Sequence, residues 1–498
     1  MEKQLDSSAL NENINEFDQE EWAKAYCNVE EELTNFELDL VKGSIPKEIS
    51  GCFYRNGPGR LERDGQWLHH PFDGDGMIAA FRFNDGKVHL SNKFVRTKEW
   101  QEEEKAGRFL YRGVFGSQKK GGVLANAFDV RLKNIANTNV VRLGDDLLAL
   151  WEAAGPHALN PETLETHGLS NLHGALKEGE AFSAHPRFDK TDKHNHKMVT
   201  FSVNTGPKST IRLMEFGCDG INAGKIISDR KDSFPGFAFI HDFAITKNWA
   251  IFLQNAISFN PIPFLLGKKG AAQCLSSNPK EKGKFLLIPR DSGEFRGTNP
   301  RVIDGPEGFV FHHVNAWESE EEINIDSIYY KDFPSIEPNE DFRKINFDSI
   351  PEGILKRCKI NLNQGSVKSD ILSEQCCEFA MVNPNKQTLS AEYSWMAVAE
   401  KKRGNGPLQA IKKINLSSLE ESFWSAAPKG FLSEPLMIPK TNSMKEDEGW
   451  IIALIWNGER SGTDLVLLRS DTLREEAVLE LPIKIPHGLH GSWIEQSK

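Results

Sequence analysis

Four histidines of this chain stand where an apolar strand gives way to polar residues, a position that presents a side chain to a ligand. They are His185 in FSAHPRFD, His241 in FPGFAFIHDFAIT, His312 in GFVFHHVNAWE and His490 in IPHGLHGSWI. The gaps between them are 56, 71 and 178 residues, so only a closed tertiary structure can bring them together. Four neutral imidazoles at one point suit a borderline divalent transition metal better than calcium or magnesium, which prefer oxygen ligands.

Three glutamates offer the supporting groups that a histidine metal site needs. A histidine ligand usually donates its other ring N–H to a carboxylate, which fixes the tautomer and makes the metal-bound nitrogen more basic. Glu152 in LLALWEAAG, Glu378 in QCCEFAMVN and Glu434 in GFLSEPLMIP each follow or interrupt a hydrophobic run, where an unpaired carboxylate is costly. The alternatives stay open: each glutamate fits a surface position on an alternating strand, and the chain has 14 histidines.

The elements that must position these side chains are short strands. From Gly51 onward, apolar runs such as NVVRLGDDLLALWEA and GWIIALIWNGER are separated by turns rich in Gly, Pro, Asn and Asp. This pattern predicts an all-β fold and is compatible with a sandwich, a barrel or a propeller without WD or kelch spacing. Residues 1–30 are polar and acidic and predict a loose arm with one short helix near Gln19 to Cys27. We expect residues 31–498 to form a single domain.

Composition excludes several classes of function. Hydrophobic residues make up 39% and charged residues 26%, which is typical of a globular protein. The net charge of -11, without a basic stripe, argues against a nucleic-acid partner. Seven cysteines in irregular spacing and an N-terminus without a secretory pattern predict a reducing compartment, the cytoplasm. The neighbours Cys376 and Cys377 are expected to be reduced core thiols, with a redox role as the alternative.

Two further segments have two interpretations each. The DGDG sequence at residues 73–76 offers oxygen donors but lacks the 12-residue ligand pattern of an EF-hand, so a tight turn is favoured over a calcium loop. No apolar run approaches the roughly 18 residues needed to span a bilayer, so any membrane contact is expected to be peripheral. The segment Pro261 to Leu266 would provide it, with Phe264, Leu265 and Leu266 in the interface, while Lys268 and Lys269 meet anionic head groups. An ordinary packed loop is the alternative.

The sequence resembles the carotenoid cleavage oxygenases, and most closely their apocarotenoid-15,15'-oxygenase branch. The resemblance runs from about Val41 to Ile494 through FYRNGPG, HPFDGDGM, KNIANTNV, LLALWE, SAHPRFD, GFVFHHVNAWE, CCEF, SEP and GLHGSWI. It implies a seven-bladed β-propeller capped by loops and short helices, with a non-haem Fe(II) on its axis. By the same resemblance the four iron ligands are His185, His241, His312 and His490, the last two chosen within HH and PHGLHG, and the supporting carboxylates are Glu152, Glu378 and Glu434.

The resemblance also implies a reaction and a partner. An apocarotenoid would be split at a C=C bond by O2 into aldehyde products, with retinal expected among them, and the enzyme would act as a monomer. Cleavage of another polyene or of a stilbene is an alternative, and so is a metal-free propeller that serves as an interaction module. An apolar tunnel would hold the substrate. By resemblance its walls include Phe72, Phe115, Trp151, Phe239 and Phe311.

Overall fold

Strands form almost all of the protein's regular structure, as the punctuated apolar runs predict. The computed structural model describes residues 17–192, 194–334 and 341–496. The first strands are β1 Phe36–Glu37, β2 Asp39–Gly43, β3 Gly51–Arg60, β4 Glu62–Arg63, β5 Gln66–Trp67, β6 Asp75–Asn84, β7 Lys87–Phe94, β8 Asn139–Leu143, β9 Asp146–Leu150, β10 His157–Leu159, β11 Thr166–Leu169, β12 Arg187–Asp189, β13 Lys197–Asn204, β14 Lys208–Gly217, β15 Ile226–Pro235, β16 Ala244–Ile245, β17 Trp249–Gln254 and β18 Ile257–Phe259. The remaining strands are β19 Leu275–Ser277, β20 Lys282–Pro289, β21 Arg301–Glu307, β22 Phe309–Ser319, β23 Glu322–Tyr330, β24 Gly353–Asn361, β25 Ser366–Ser373, β26 Cys377–Met381, β27 Tyr393–Ala399, β28 Leu408–Asn415, β29 Glu421–Ser425, β30 Gly430–Leu432, β31 Leu436–Pro439, β32 Gly449–Asn457, β33 Gly462–Arg469, β34 Glu475–Glu480 and β35 Gly491–Glu495.

Within the described ranges most of these strands make a propeller of seven antiparallel sheets, and β4-β5 and β18-β19 form two separate two-stranded sheets. We number the blades I to VII along the chain and list the strands of each from the axis outward: I is β35-β3-β6-β7-β1, II is β8-β9-β10-β11, III is β12-β13-β14-β15, IV is β16-β17-β20-β21, V is β22-β23-β24-β25, VI is β26-β27-β28-β29, and VII is β30 and β31 followed by β32-β33-β34-β2. The innermost strands contact one another between blades I and II, IV and V, V and VI, and VII and I. The predicted all-β propeller fold is therefore confirmed.

In the described part of the chain, seven layers of the hydrophobic core each lie between two neighbouring blades. Side chains alternate across a strand, so one strand supplies two layers. In β17, Ile251 and Leu253 face blade V, while Ala250 and Phe252 face blade III. Because both faces of a blade are covered, its middle strands read as continuous apolar runs rather than as an alternating pattern.

The two ends of the chain close the ring together. The last strand, β35, pairs with β3 as the innermost strand of blade I, and the register places Arg55 opposite Gly491. An early strand, β2, pairs with β34 as the outermost strand of blade VII. Blades I and VII then share a core layer that contains Phe53 and Ile452. The closing strand therefore lies next to the axis and immediately follows His490.

Helices are short and lie outside the blades. They are α1 Gln19–Lys24, α2 Lys98–Ala106, α3 Gly122–Asn126 and α4 Ile262–Leu265, with 3-10 turns at Pro71–Asp73, Gly220–Asn222, Ala272–Cys274, Phe342–Lys344, Phe347–Ser349 and Pro384–Lys386. Thr97 caps the N-terminus of α2, where its hydroxyl accepts a hydrogen bond from the Trp100 N–H, and Gly107 caps the C-terminus in a left-handed conformation. In the described residues, no helix is long and apolar enough to cross a membrane.

The segments 95–138 and 255–281 pack on each other as a cap. Phe128 N–H donates to the Leu265 carbonyl at 2.7 Å, and this contact joins α3 to α4. Here the structure corrects one expectation: Phe264 does not face outward with Leu265. Its side chain is 8% exposed and lies under the Arg112 guanidinium, 4.2 Å from ring centroid to Cζ. A cation over the aromatic face makes this ring part of the packing of the cap.

The described part of the N-terminal arm is packed rather than loose. Residues 17–30 include the short helix α1, near the predicted position. Trp22 is buried against Phe431 at 5.3 Å between ring centroids, and its indole N–H donates to the Phe342 carbonyl. The polar composition of the segment did not predict this packing, because it depends on only a few aromatic side chains. Residues 1–16 lie outside the described residues.

The DGDG segment and the vicinal cysteines have ordinary structural partners. Asp73 ends a 3-10 turn and accepts hydrogen bonds from the backbone N–H groups of Phe115 and Ser117. Asp75 begins β6 and pairs with Lys133 at 2.5 Å. Both carboxylates therefore already have partners within the protein, which agrees with a turn rather than a calcium loop. Cys376 and Cys377 are both free and buried.

Candidate metal centre

Each of the four predicted histidines lies at the axis on or beside an innermost strand. His185 precedes β12, His241 precedes β16, His312 lies in β22 and His490 precedes β35, so blades III, IV, V and I each supply one. Their candidate ligand atoms all lie within 4.8 Å of one another. The Nε2 atom of His241 is 3.0 Å from that of His185 and 3.2 Å from that of His312. The four imidazoles therefore converge on one point.

Three of the histidines are backed by the three predicted glutamates. The Nδ1 atom of His241 contacts Glu152 at 2.5 Å, that of His312 contacts Glu378 at 2.6 Å, and that of His490 contacts Glu434 at 2.8 Å. Glu152 follows β9 of blade II, Glu378 lies in β26 of blade VI, and Glu434 lies between β30 and β31 of blade VII. Together with the histidines, every blade contributes one group to the site.

These hydrogen bonds decide what the site can bind. A neutral histidine that donates Nδ1–H to a carboxylate presents the lone pair of its Nε2. Lone pairs of neighbouring rings at about 3 Å repel one another unless a cation lies between them. Imidazole nitrogen suits divalent transition metals, so the arrangement fits a metal ion held on the axis by four nitrogen atoms.

Burial favours the neutral form of His185, whereas hydrogen bonds and nearby charge favour the ionised form of Glu378. Burial and the neighbouring imidazoles hold the pKa of His185 well below its usual range. For Glu378 burial acts to raise the pKa, but the charge and hydrogen bond of His312, together with the Tyr330 hydroxyl, bring the pKa down to about 2. The Tyr330 O–H and the Phe379 N–H both donate to this carboxylate, at 2.5 and 2.9 Å. Glu378 is thus fixed in place as an acceptor.

The structure distinguishes the members of the two histidine pairs. His313 points away from the cluster: its Nδ1 contacts the Ser327 hydroxyl at 2.7 Å, and its backbone N–H donates to Asp242. His487 lies against Trp22 and Tyr26, with 5.2 Å between ring centroids in each case. His312 and His490 are the members of the cluster, as the resemblance implied.

The five predicted tunnel residues fall into separate groups. Phe311 is 5.6 Å from the His241 ring and belongs with Phe239 to one aromatic cluster, which also contains Phe309 and Phe333. Phe72 and Phe115 contact each other at 5.4 Å, and Phe72 is half exposed. Trp151 is buried beside Glu152. Of these five, Phe311 is the one in ring contact with a clustered histidine, and the tunnel path stays a prediction.

The sequence reading missed Phe379, which lies 5.9 Å from the His312 ring and 5.4 Å from the His490 ring. Consecutive strand residues normally face opposite sides, but the pairing of β26 with β27 is irregular between Glu378 and Met381, and Phe379 has a φ of 56°. The irregularity turns Glu378 and Phe379 toward the same site. A left-handed phenylalanine is strained, and such strain is concentrated at functional sites. Its adjacency to Glu378 in CCEF was the available signal.

A seven-bladed propeller with four converging imidazoles and three supporting carboxylates defines an axial metal centre of histidine type. Over residues 26–495 the chain matches the RPE65 family, described as retinal pigment epithelial membrane protein. It is 44% identical over 482 residues to apocarotenoid-15,15'-oxygenase of Synechocystis sp., with 96% of both chains covered. Lignostilbene-alpha,beta-dioxygenase isozyme III of Sphingomonas paucimobilis is 28% identical, with 93% of this chain and 94% of that protein covered.

A solved structure agrees with these sequence matches. The crystal structure of cobalt-substituted Synechocystis ACO superimposes with a TM-score of 0.93 at 43% identity, covering 97% of this chain and 100% of that one. The chain belongs to the RPE65/carotenoid oxygenase family. The family, the propeller fold and the oxygenase class expected from the motifs are thereby confirmed.

Proposed function

We propose that this protein is a non-haem Fe(II) dioxygenase that cleaves a C=C bond of an apocarotenoid with O2 to give aldehyde products, with retinal among them. The observation that carries the proposal is the axial cluster of four imidazoles, three of them hydrogen-bonded to carboxylates. The 44% identity to apocarotenoid-15,15'-oxygenase across nearly the whole of both chains supports the substrate class. In the overall reaction one C=C bond and one O2 become two C=O groups, so the balance needs no other reductant.

His185, His241, His312 and His490 would hold the iron through Nε2. When bound, an Fe(II) ion with four neutral ligands retains its 2+ charge and open coordination positions, and it supplies the activation of dioxygen. Other divalent ions also accept imidazole, so the choice of iron rests on the family rather than on the donor set. Glu152, Glu378 and Glu434 orient three of the rings and hold their Nδ1 protons.

Aromatic side chains give the site an apolar side on which a polyene would lie. Phe311 packs edge-on to His241, and Phe379 packs against His312 and His490. The Tyr330 hydroxyl donates to Glu378 and therefore serves the carboxylate rather than the substrate. Cleavage of a hydrocarbon double bond requires no acid or base on the substrate. These residues position the chain of double bonds and exclude water from the histidine cluster.

Metal analysis, oxygen uptake and product mass spectrometry test the proposal together. The purified protein should contain about one iron per chain and consume O2 in proportion to an apocarotenal, with two carbonyl products of complementary mass. A panel that also contains a full-length carotenoid and a stilbene separates the relatives' activities. Exclusive cleavage of the stilbene would contradict the substrate assignment. A folded protein that binds no metal and consumes no O2 would instead indicate an interaction module.

We further propose that the cap contacts a membrane surface, from which a water-insoluble polyene would be drawn. Several apolar side chains are exposed on two adjacent segments of the cap, which the bond from Phe128 to Leu265 joins: Val123, Leu124, Phe128, Val130, Ile262, Leu265 and Leu266. Leu124 is 94% and Phe128 75% exposed. A contiguous exposed apolar patch of this kind is typical of an interaction site. Lys268 follows it and suits anionic head groups.

Flotation with anionic liposomes tests this membrane contact. The double variant Leu124→Ser/Phe128→Ser should lose most of the co-flotation of the wild type, because both side chains are exposed and their replacement leaves the core intact. Ile221→Ser is a matched control, since Ile221 is 87% exposed in the loop between β14 and β15. Equal flotation of the wild type and the double variant would contradict the proposal. The activity ratio between liposome-held and detergent-held substrate should fall only in the double variant.

A further inference from the structure

Arg55 is a buried cation that the proposed chemistry leaves unexplained. It lies in β3, its side chain is 2% exposed, and its NH1 donates to Glu434 Oε2 at 3.0 Å. Its Nε and NH2 are also buried and have no hydrogen-bond partner among the described residues. A buried guanidinium with a single partner is costly unless its charge is needed where it stands.

The surrounding backbone is shaped around this side chain. A Cβ atom at Gly488 would lie 2.7 Å from Arg55 Nε, and one at Gly491 would lie 3.4 Å from Arg55 Cδ and 2.4 Å from the Tyr54 carbonyl oxygen. Neither glycine has a positive φ. Glycine is therefore required at these positions because a Cβ atom would not fit, and not because of the backbone conformation. The two glycines of PHGLHG thus flank the guanidinium on either side of His490.

Arg55 also acts on the carboxylate that supports His490. His490 immediately precedes β35, the innermost strand of blade I, which pairs with β3. Its Nδ1 bonds Glu434 Oε1, while the other oxygen of that carboxylate accepts from Arg55 NH1 and from Gly491 N–H. Glu434 comes from blade VII and Arg55 from blade I. The guanidinium therefore ties the carboxylate across the junction where the propeller closes.

Charge supports the same conclusion. When ionised, the three supporting carboxylates carry one negative charge more than a divalent ion carries positive. Arg55 supplies the balancing charge, and its partner is one of these three carboxylates. The other two have different arrangements: Glu378 is held by the Tyr330 hydroxyl, and Glu152 pairs with His241.

We propose that Arg55 is a positioning residue of the metal centre, which fixes Glu434 so that His490 presents its Nε2 to the metal. This inference rests on the proposed metal site and goes beyond it, because it assigns a role to a residue that contacts neither metal nor substrate. It predicts that the effect of Arg55 on the metal passes entirely through Glu434.

Cobalt binding to the apo-protein is the readout, measured by competition with a chelator and by the visible absorption of bound Co2+. Arg55→Met should weaken cobalt binding about 10- to 100-fold, as is usual for groups that orient a ligand. If Arg55 acts through Glu434, Arg55→Met/Glu434→Gln should bind cobalt no more weakly than Glu434→Gln alone. In contrast, the effects of Arg55→Met and Glu152→Gln should multiply, because Glu152 supports His241 on another blade.

Two controls separate position from folding. Arg290 is equally buried, pairs with Glu215 and Asp189 at 2.8 Å each, and lies away from the histidine cluster at the end of β20. Arg290→Met should lower the unfolding temperature yet bind cobalt as the wild type does. Arg55→Lys keeps the positive charge but does not reproduce the guanidinium group. Its affinity for cobalt should lie between those of Arg55→Met and the wild type.

Three outcomes would overturn the inference. Cobalt affinity of Arg55→Met or Arg55→Lys equal to the wild type would show that the guanidinium does not position His490. Full multiplication of the Arg55→Met and Glu434→Gln effects would show that Arg55 does not act through Glu434. A wild-type protein that binds no cobalt would contradict the proposed metal site itself, which is a different failure because it appears before any variant is compared.

Discussion

Two regions of this molecule bury several carboxylates, and they neutralise them in different ways. Under the cap, Arg63, Asp75, Glu103 and Lys133 form a cluster that we name the cap network. Lys133 Nζ lies 2.5 Å from Asp75 and 2.6 Å from Glu103, and Arg63 NH2 lies 3.2 Å from Asp75. On the axis, three buried or half-buried carboxylates meet imidazoles instead. The carboxylates of the cap network face cations of the chain, whereas the four imidazoles on the axis converge without one among the described residues.

This difference shows how a metal site can be recognised from the buried polar groups of a structure. In the cap network burial acts to lower the pKa of Lys133, but Asp75 and Glu103 raise it above its usual value, so the lysine stays charged. Every charge there points at an opposite charge of the same chain. In the histidine cluster the Nε2 atoms point at one another. Buried acceptors that converge without a cation of the chain are costly, and a metal ion removes that cost.

The largest effect on metal binding is expected when one of the four converging histidines is removed. His312→Ala should abolish metal binding and turnover while the propeller stays folded, because the loss of one axial ring leaves the core layers between blades intact. His313→Ala should retain the metal, since its ring bonds Ser327 rather than the cluster. Metal analysis, circular dichroism and oxygen uptake would be measured for both. A dead His313→Ala beside an active His312→Ala would reverse the assignment.

A substitution that breaks the cap network should lower the free energy of unfolding but leave the metal content unchanged. Lys133→Met leaves Asp75 and Glu103 without their shared cation, and removal of one partner from a buried charge cluster costs about 3–5 kcal/mol of unfolding free energy. Lys247→Met is the matched control, because its pair with Glu294 is exposed and worth at most about 1 kcal/mol. Denaturant unfolding and metal content would be compared. A loss of metal from folded Lys133→Met would show that the two regions are coupled.

A smaller effect is expected for Glu378, a carboxylate with three hydrogen-bond partners. Glu378→Gln keeps the shape but replaces one oxygen that accepts from His312, Tyr330 or Phe379 N–H. We expect about a 10- to 100-fold weaker metal affinity, because such groups orient a ligand without binding the metal. Tyr330→Phe, which removes a single donor, should have part of this effect. Wild-type affinity in Glu378→Gln would remove its role in the site.

Much of the fold and of the candidate site could be predicted from the sequence. The features that could not be predicted are tertiary contacts between distant segments. Apolar runs such as Trp249–Gln254 identify blade strands because both faces of a blade are buried. Glutamates in apolar runs identify buried carboxylates for the same energetic reason. The pairing of Glu152 in blade II with His241 in blade IV does not follow from either pattern, because it depends on how loops meet at the axis. The burial of Phe264 depends in the same way on Arg112, which is distant in sequence.

Glu152 should show the smallest effect of the three carboxylates. Its side chain is 31% exposed, compared with 15% for Glu378 and 18% for Glu434, and in the described part of the chain His241 is its one hydrogen-bond partner. Water can reach the Nδ1–H side of this pair and replace the lost acceptor, and solvent screening weakens the electrostatic contribution. Glu152→Gln should therefore weaken metal affinity less than about 10-fold, below the range expected for buried partners. Affinity measured side by side with Glu378→Gln checks the order. A loss as large as that of Glu378→Gln would mean that the orientation of His241, rather than exposure, sets the strength of the site.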